Sequence, residues 1–477
     1  MRSYFRKTQR YRQMIVRHAY RRFLRRCKIR KYMSRKRSVN IDDYRRNKSF
    51  RDQAKDIFSF SDTIRHFLPV NLRYIINCNH GVFSLDRLSQ LFKHVNGKVN
   101  IPRNFSIIDN PNESYEVIQN VISIFLSQKC KFLKLDYSKC ESIDLVTMVF
   151  LDAILKDIDK YWKLCNRASV GHYCKLKEMG GYNYENTEIL KMINSVGSPD
   201  IIINRHSTYS DVIPFRLCCF DSHNATKEKK LTQKEIDTTQ VLEYINKCLN
   251  RYHKTLSAEA TREMGFVVAE TLINAEEHSS TGYRYMIGYM EEYKDKSHRH
   301  SGVFNLVIMN FGQTIYEKFK NEDSVSEINQ ECVRQMMELS EHYTKRRLFQ
   351  ESFKEETLWT LYSLQQGVTC VPHQKRGNGT IQFINSFLKL RDNDDDDTIS
   401  HMYILSGNTI IEFDGKYQLF NKTNSKGETL DIISFNESGS LKEKPDSRYV
   451  KHVNNYFPGT AIYVRLLLND NDIINSQ

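Results

Sequence analysis

The sequence predicts an α/β protein in two parts, a smaller module followed by a larger one, behind a basic helical arm. Three observations carry this expectation. Strand-like and helix-like segments alternate over residues 113–220, they alternate again over residues 258–477, and 16 Lys or Arg with no acid crowd residues 1–40. The length of 477 residues allows two to four domains of roughly 100 to 200 residues each. With 40% hydrophobic and 27% charged residues the chain is neither fibrous nor wholly disordered.

The arm places Phe5, Ile15, Phe23, Leu24, Ile29 and Met33 among arginines at near-helical spacing with no Gly or Pro, so one or two basic helices are expected over residues 1–37. The chain carries a net +14, and without the arm residues 41–477 stand at minus 2. A mixed region, 41–112, follows, with a strand expected at Leu72–Cys78 and a helix at Leu85–His94. In the first module, 113–220, Ser114 is a candidate cap for a helix running to Ser127. A strand at Lys131–Tyr137, a loop at Ser138–Asp144, a helix at Leu145–Lys160, a helix at Asn186–Val196 ended by Gly197, and a strand at Ile201–Ile203 come next. Residues 221–257 read as a polar linker with a lead-in helix. The second module, 258–477, opens on an amphipathic helix to about residue 279, followed by strands at Tyr283–Tyr289 and Val303–Ile308. A helix at Ile381–Leu390 and a strand at Ala461–Leu467 close it, with Asp394–Asp397 as a solvated turn and Asn421–Lys451 as a long polar loop.

Eleven cysteines without a CxxC pair indicate neither a disulfide framework nor a zinc ribbon. Cys165, His172 and Cys174 lie close in sequence, as do Cys78 and His80, but neither group supplies four ligands at a familiar spacing. No apolar run approaches the roughly 20 residues that span a bilayer, and no apolar stretch follows the charges at the start. A cytoplasmic location is the expectation.

The chemistry concentrates in the second module. Glu270 and Asn274 fall four apart on one side of a helix whose apolar stripe is Phe266, Val267, Ala269, Leu272 and Ile273, so a carboxylate and an amide oxygen can aim at one point. The carboxylate can take a proton from an attacking water, and the amide is a neutral hard ligand for magnesium. The strand ending at Ile308 runs into Asn310, Phe311 and Gly312. Arg376, Gly377, Asn378, Gly379 and Thr380 precede a helix, where glycines leave N–H groups and the positive dipole end open to phosphate. Phe457, Pro458, Gly459 and Thr460 open the last long strand.

In that order these motifs resemble the GHKL ATPase family, the Bergerat nucleotide-binding fold of gyrase, a class of heat-shock chaperones, mismatch-repair ATPases, histidine kinases and anti-sigma-factor kinases. ETLINAEEHSS, 270–280, is similar to its N box; IMNFGQTI, 308–315, to its first glycine box; RGNGT, 376–380, to its second; and FPGT, 457–460, to its terminal Gly-Thr motif. The resemblance implies a sandwich with a mixed sheet covered by helices on one face, binding ATP and Mg²⁺. Glu270 would be the general base and Asn274 the Mg ligand. Gly312 would let the backbone approach the adenine, and Thr460 would hydrogen-bond near it. Gly377, Gly379 and Thr380 would shape the phosphate-facing helix start, and the segment from Tyr316 to Lys375 would form a lid reaching phosphate through Lys375 or Arg376. Two positions depart from the pattern: Asn310 replaces the family's adenine-binding Asp, and Thr314 stands where the box's second glycine falls. More loosely, LDYSKCESID, 135–144, with the helix ended at Gly197 resembles a STAS-like domain, whose phosphorylated serine would correspond to Ser142 or Ser138. His278 and His373 are read as structural.

The function expected is ATP binding with slow hydrolysis, driving a lid-closure switch that controls a partner, in a setting such as bacterial stress signalling or phage defence. Two alternatives stand beside it. One is an anti-sigma-type protein serine kinase acting on a STAS-like target; the other is a non-enzymatic nucleic-acid adaptor with a degenerate nucleotide site. Residues 1–37 would engage nucleic acid or a protein, with a membrane surface ranking below these and a homodimer as a further option.

Overall fold

The structure is a computed structural model that describes residues 68–78, 82–127, 129–167, 176–196, 209, 212–222, 225–277, 279–294, 300–320, 334, 336–341, 354–366, 368, 379–392, 397–423 and 429–476. The basic arm, Gly197, the strand expected at Ile201–Ile203, His278, His373, Lys375, Arg376, Gly377 and Asn378 lie outside the described residues. What is described is mixed α/β with several sheets.

The upstream part begins with α1 (Val70–Asn77), where a strand was expected. The segment buries Asn71, Leu72, Ile75 and Ile76, a spacing of four rather than two, and Pro69 sits at the N-cap, where its missing N–H costs nothing. Next come α2 (Leu85–Leu91), β1 (Lys98–Asn100) and β2 (Asn104–Phe105). Helix α3 (Pro111–Ser127) starts at its proline, so Ser114 is not a cap but a residue buried inside the helix. Strands β3 (Phe132–Asp136) and β4 (Ser142–Ile143) lead to α4 (Leu145–Arg167), which runs seven residues past its expected end. Asp144 caps it, accepting from Thr147 N at 2.6 Å and Thr147 Oγ1 at 2.7 Å. Strand β5 (Glu178–Tyr182) and α5 (Thr187–Val196), whose Glu188 N donates to Asn186 Oδ1, complete the module. Strands β1, β3 and β5 pair in parallel in the order β1-β3-β5, with β2 and β4 as a short parallel pair beside them.

The second sheet runs in the order 401–413, 450–468, 300–311, 283–294 and 212–221, and draws its edge strand, β6 (Val212–Asp221), from the region that reads in sequence as the upstream module. The polar stretch after it is mostly one helix, α6 (Lys227–Leu249), capped by Thr226. The short β7 (Lys254–Leu256) precedes α7 (Ala258–Glu277), which leads into the hairpin of β8 (Tyr283–Lys294) and β9 (His300–Phe311). Helices α8 (Ile315–Lys320), α9 (Glu355–Ser363) and α10 (Gly379–Asp392) come next. The chain ends with β10 (His401–Phe413), the hairpin β11 (Phe420–Thr423) and β12 (Thr429–Ile432), then β13 (Val450–Leu468) and β14 (Ile473–Asn475). Four expectations change. The long polar loop contains a hairpin, Asn421 pairing with Asp431. The Phe457–Thr460 motif lies in the middle of a 19-residue strand rather than opening one. Asp397 is buried and accepts from Ile399 N and Ser400 N, so that end of the acidic run is a structural turn. Part of the expected lid is core: α9 buries every residue from Thr357 to Ser363, and Trp359 donates to Ser340 Oγ at 3.1 Å.

All pairings in the five-stranded sheet are antiparallel, not mixed, and both faces are covered, not one. Strand alternation divides the residues. Met286, Phe304, Leu306, Ile308, Ile462 and Leu466 join one core with α6, α7, α9 and α10. Tyr285, Ile287, Val307, Met309, Phe311, Phe457 and Ala461 join the core of the upstream module. Phe150 of α4 seals that second junction, its ring 5.7 Å from Phe311 and 5.2 Å from Phe457. Asn71 Nδ2 donates to the Tyr285 hydroxyl, and Asn455 Nδ2 donates to Asn112 Oδ1 at 2.9 Å.

Candidate functional site

A single cross-strand row places four buried polar side chains under the helices. In register, Arg284 of β8 faces Asn310 of β9, Asn310 faces Thr460 of β13, and Thr460 faces Ser406 of β10. Directly opposed residues share a face, and their even spacing from Met286, Ile308, Ile462 and Ile404 puts all four on the helix-covered side. All four are buried. Thr460 N donates to Asn310 Oδ1 at 3.2 Å, the Thr460 and Ser406 hydroxyls lie 3.0 Å apart, and Ile315 N donates to Ser406 Oγ. The backbones close here because residue 459 is glycine: a Cβ on it would stand 2.1 Å from the Asn310 carbonyl oxygen.

Arg284 is the row's charged member. Nε donates to Glu276 Oε1 of α7 at 2.7 Å, Nη1 stands 2.7 Å from Asp237 Oδ2 of α6 without hydrogen-bond alignment, and the guanidinium lies over Phe220. A cation buried to 1% exposure requires such partners, since an unpaired buried charge costs several kcal/mol, about 3 to 5 when one partner is removed.

The second group is formed by α7 and α10. Glu263, Glu270 and Asn274 follow one another at seven and four residues, along one stripe of α7. Glu263 Oε2 accepts from Ser386 Oγ of α10 at 2.5 Å. Burial tends to raise its pKa, but hydrogen bonds from Ser386 and Arg262 with the Lys389 and Arg262 charges hold it below the usual glutamate range. That anchor brings the first residue of α10 against the next carboxylate. A Cβ on Gly379 would stand 2.1 Å from Glu270 Oε2, so glycine is what lets the helix start approach. A helix N-terminus favours negative charge, and Glu270 takes advantage of that. Asn274 and Thr380 are half-buried beside it.

The loop after β9 answers the second departure from the motif. Thr314 N donates to Glu317 Oε2 at 2.8 Å and Glu317 N donates to Thr314 Oγ1 at 3.1 Å, a capping box that starts α8. Threonine thus initiates a helix where a glycine would leave the loop open. Gly312 is buried and its N–H is taken by Pro458 O at 3.2 Å. Behind this loop lies Glu356, which accepts from Asn408 N at 2.7 Å. Burial, helped by the Glu317 charge, pushes its carboxyl up to about 7, while the Asn408 N–H pulls the other way.

The structure therefore brings Asn310 beside Thr460 and Glu270 beside Gly379, with Asn274 one turn from Glu270; Gly312 borders the first pair. Sequence reasoning missed Arg284, Ser406 and Glu356. Arg284 carried a signal, a charge at an inward position two residues before Met286, whereas Ser406 becomes visible only through strand register. A cleft of about 690 Å³ opens nearby between Tyr74, Asn77, Ser280, Gln313 and Lys320, and none of Glu270, Asn274, Asn310 or Thr460 lines it. No group of three His, Cys, Asp or Glu able to hold a metal gathers among the described residues. No described helix is long and apolar enough to cross a membrane. No protein-family model, curated protein or solved structure matches the chain, which leaves the motifs and this geometry as the ground on which its function is argued.

Proposed function

We propose that the C-terminal part is a GHKL-type domain binding a Mg-nucleoside triphosphate, with ATP as the ligand the resemblance implies, and that its occupancy controls the upstream module or a partner of it. The observation that carries the reading is convergence: residues 150 apart, Asn310 and Thr460, share a hydrogen bond in one row, while Glu270 meets the glycine that starts α10. In this reading Glu270 orients the attacking water and takes its proton. Asn274 holds magnesium, which when bound neutralises phosphate charge. Coupling follows from strand parity: Asn310 faces the nucleotide, and its neighbour Phe311 packs on Phe150 of the upstream module. The basic arm would then bring nucleic acid or a protein to the switch.

The test is equilibrium binding and turnover of Mg-nucleotide by the full chain beside Glu270→Ala and Asn274→Ala. Glu270→Ala should lower turnover by about 10²- to 10⁴-fold and keep binding, as loss of a general base does; Asn274→Ala should lose the magnesium dependence of binding. Equal turnover in all three proteins would refute the assigned roles. One observation favours the kinase reading as a second: Ser142, at the approach to α4, is exposed and donates to Asn104 Oδ1 at 2.9 Å. Phosphoserine at 142 after incubation with ATP, read by mass spectrometry, separates transfer from hydrolysis.

A further inference from the structure

Which base a nucleotide held here would carry depends on the amide of Asn310, and the inference rests on the nucleotide reading above. An asparagine amide offers one oxygen that accepts and one nitrogen that donates. Which of the two remains for a ligand is decided by Thr460, whose backbone N–H donates to Oδ1 at 3.2 Å. Turning the amide over would set two donors against each other, so the partner fixes the orientation. Nδ2 is then the group left over, in a side chain with 0% exposure and with no hydrogen-bond partner. Orphaned buried donors are rare and call for an explanation. The next member of the row is also a donor: Arg284 carries no acceptor, and its Nη2 likewise has no hydrogen-bond partner.

We propose that the base held at Asn310 is a 6-oxopurine, guanine or hypoxanthine, in preference to adenine. The edge of a 6-oxopurine shows two acceptors, O6 and N7, whereas adenine replaces O6 with an amino donor. Against Nδ2 the carbonyl accepts a hydrogen bond. The adenine amino group would meet it donor to donor and leave both unsatisfied. A carboxylate at this position selects the amino group. Exchanging it for an amide whose oxygen is already engaged reverses the polarity of the atom that reads the base. Sites that hydrogen-bond a substrate reject the analogue lacking the complementary group strongly, so a preference of about tenfold or more is expected.

The experiment measures binding of Mg-ITP and Mg-ATP to the full chain by equilibrium dialysis, since the two differ in the purine at position 6. The expected result is tighter binding of ITP by about tenfold or more, with Mg-GTP on the same side, and a reversal toward ATP in Asn310→Asp. Equal binding, or tighter ATP binding, by the unsubstituted chain overturns the base assignment and leaves the nucleotide reading standing. A folded chain that binds none of the three overturns both. Should Asn310→Asp fail to fold, the comparison in the unsubstituted chain decides alone.

Discussion

Glu356 makes the stability of this protein depend on pH in a calculable direction. Its carboxyl is half-buried behind the β9 loop and is pushed from the usual 4.5 to about 7 by burial, with the Glu317 charge adding to it. Between those two values the folded chain holds a proton that the unfolded chain has released, so stability falls as pH rises through that window and is level above it. At about 1.36 kcal/mol per pH unit the whole difference is about 3 kcal/mol, of which about 2.5 kcal/mol lies between pH 5 and pH 8. Glu356→Gln keeps an oxygen for Asn408 N and removes the titration. Urea unfolding of both proteins at pH 5 and pH 8 should therefore show the variant gaining on the parent by about 2 to 3 kcal/mol at the higher pH. Parallel pH profiles, agreeing within about 0.5 kcal/mol, a margin typical of surface substitutions, would refute the reasoning.

Two further outcomes follow from named contacts. Gly379→Ala puts a methyl where Glu270 Oε2 now stands; because the carboxylate end can swing aside, Tm should move by only a few degrees, while nucleotide turnover should fall toward that of Glu270→Ala. Unchanged turnover would separate Glu270 from the helix start. Phe150→Ala removes a fully buried ring packed on Phe83, Tyr115, Phe311 and Phe457, and should cost about 3 to 5 kcal/mol in chemical denaturation; a loss under about 1 kcal/mol would mean that the two cores do not depend on each other.

How far the sequence could be read depended on whether a feature is local. Helices α3, α4 and α5, strand β3 and the β8–β9 hairpin follow from periodicity and local signals within a few residues; most of their limits fall within three residues of expectation, while α4 runs seven and β8 five residues further. Helix α1 was misread because VNLRYIIN is short and rich in β-formers, and only its burial against the tyrosine face of the sheet shows the helical stripe. The motifs placed Glu270, Asn310, Gly379 and Thr460, but nothing local tells which strand lies beside which. The row from Arg284 to Ser406 spans four strands whose order differs from chain order, so it becomes visible only once register is known. The covered second face was hidden for a related reason. Alternating strands in which both sets are apolar read as ordinary buried strands and do not name the element that buries them.

That second face bears on how the protein can be divided. Removing the upstream module would strip cover from Tyr285, Val307, Met309, Phe311 and Phe457, a contiguous apolar sheet surface of the kind that aggregates. The C-terminal half is thus ill suited to expression as an isolated fragment or to recombination onto an unrelated neighbour. Nor can β9 absorb a single inserted residue: a slip of one would turn Asn310 toward Phe150 and Phe311 toward the helices, exchanging the two faces at once. Length variation along this part of the chain belongs in the connections, and the two halves are bound to change together.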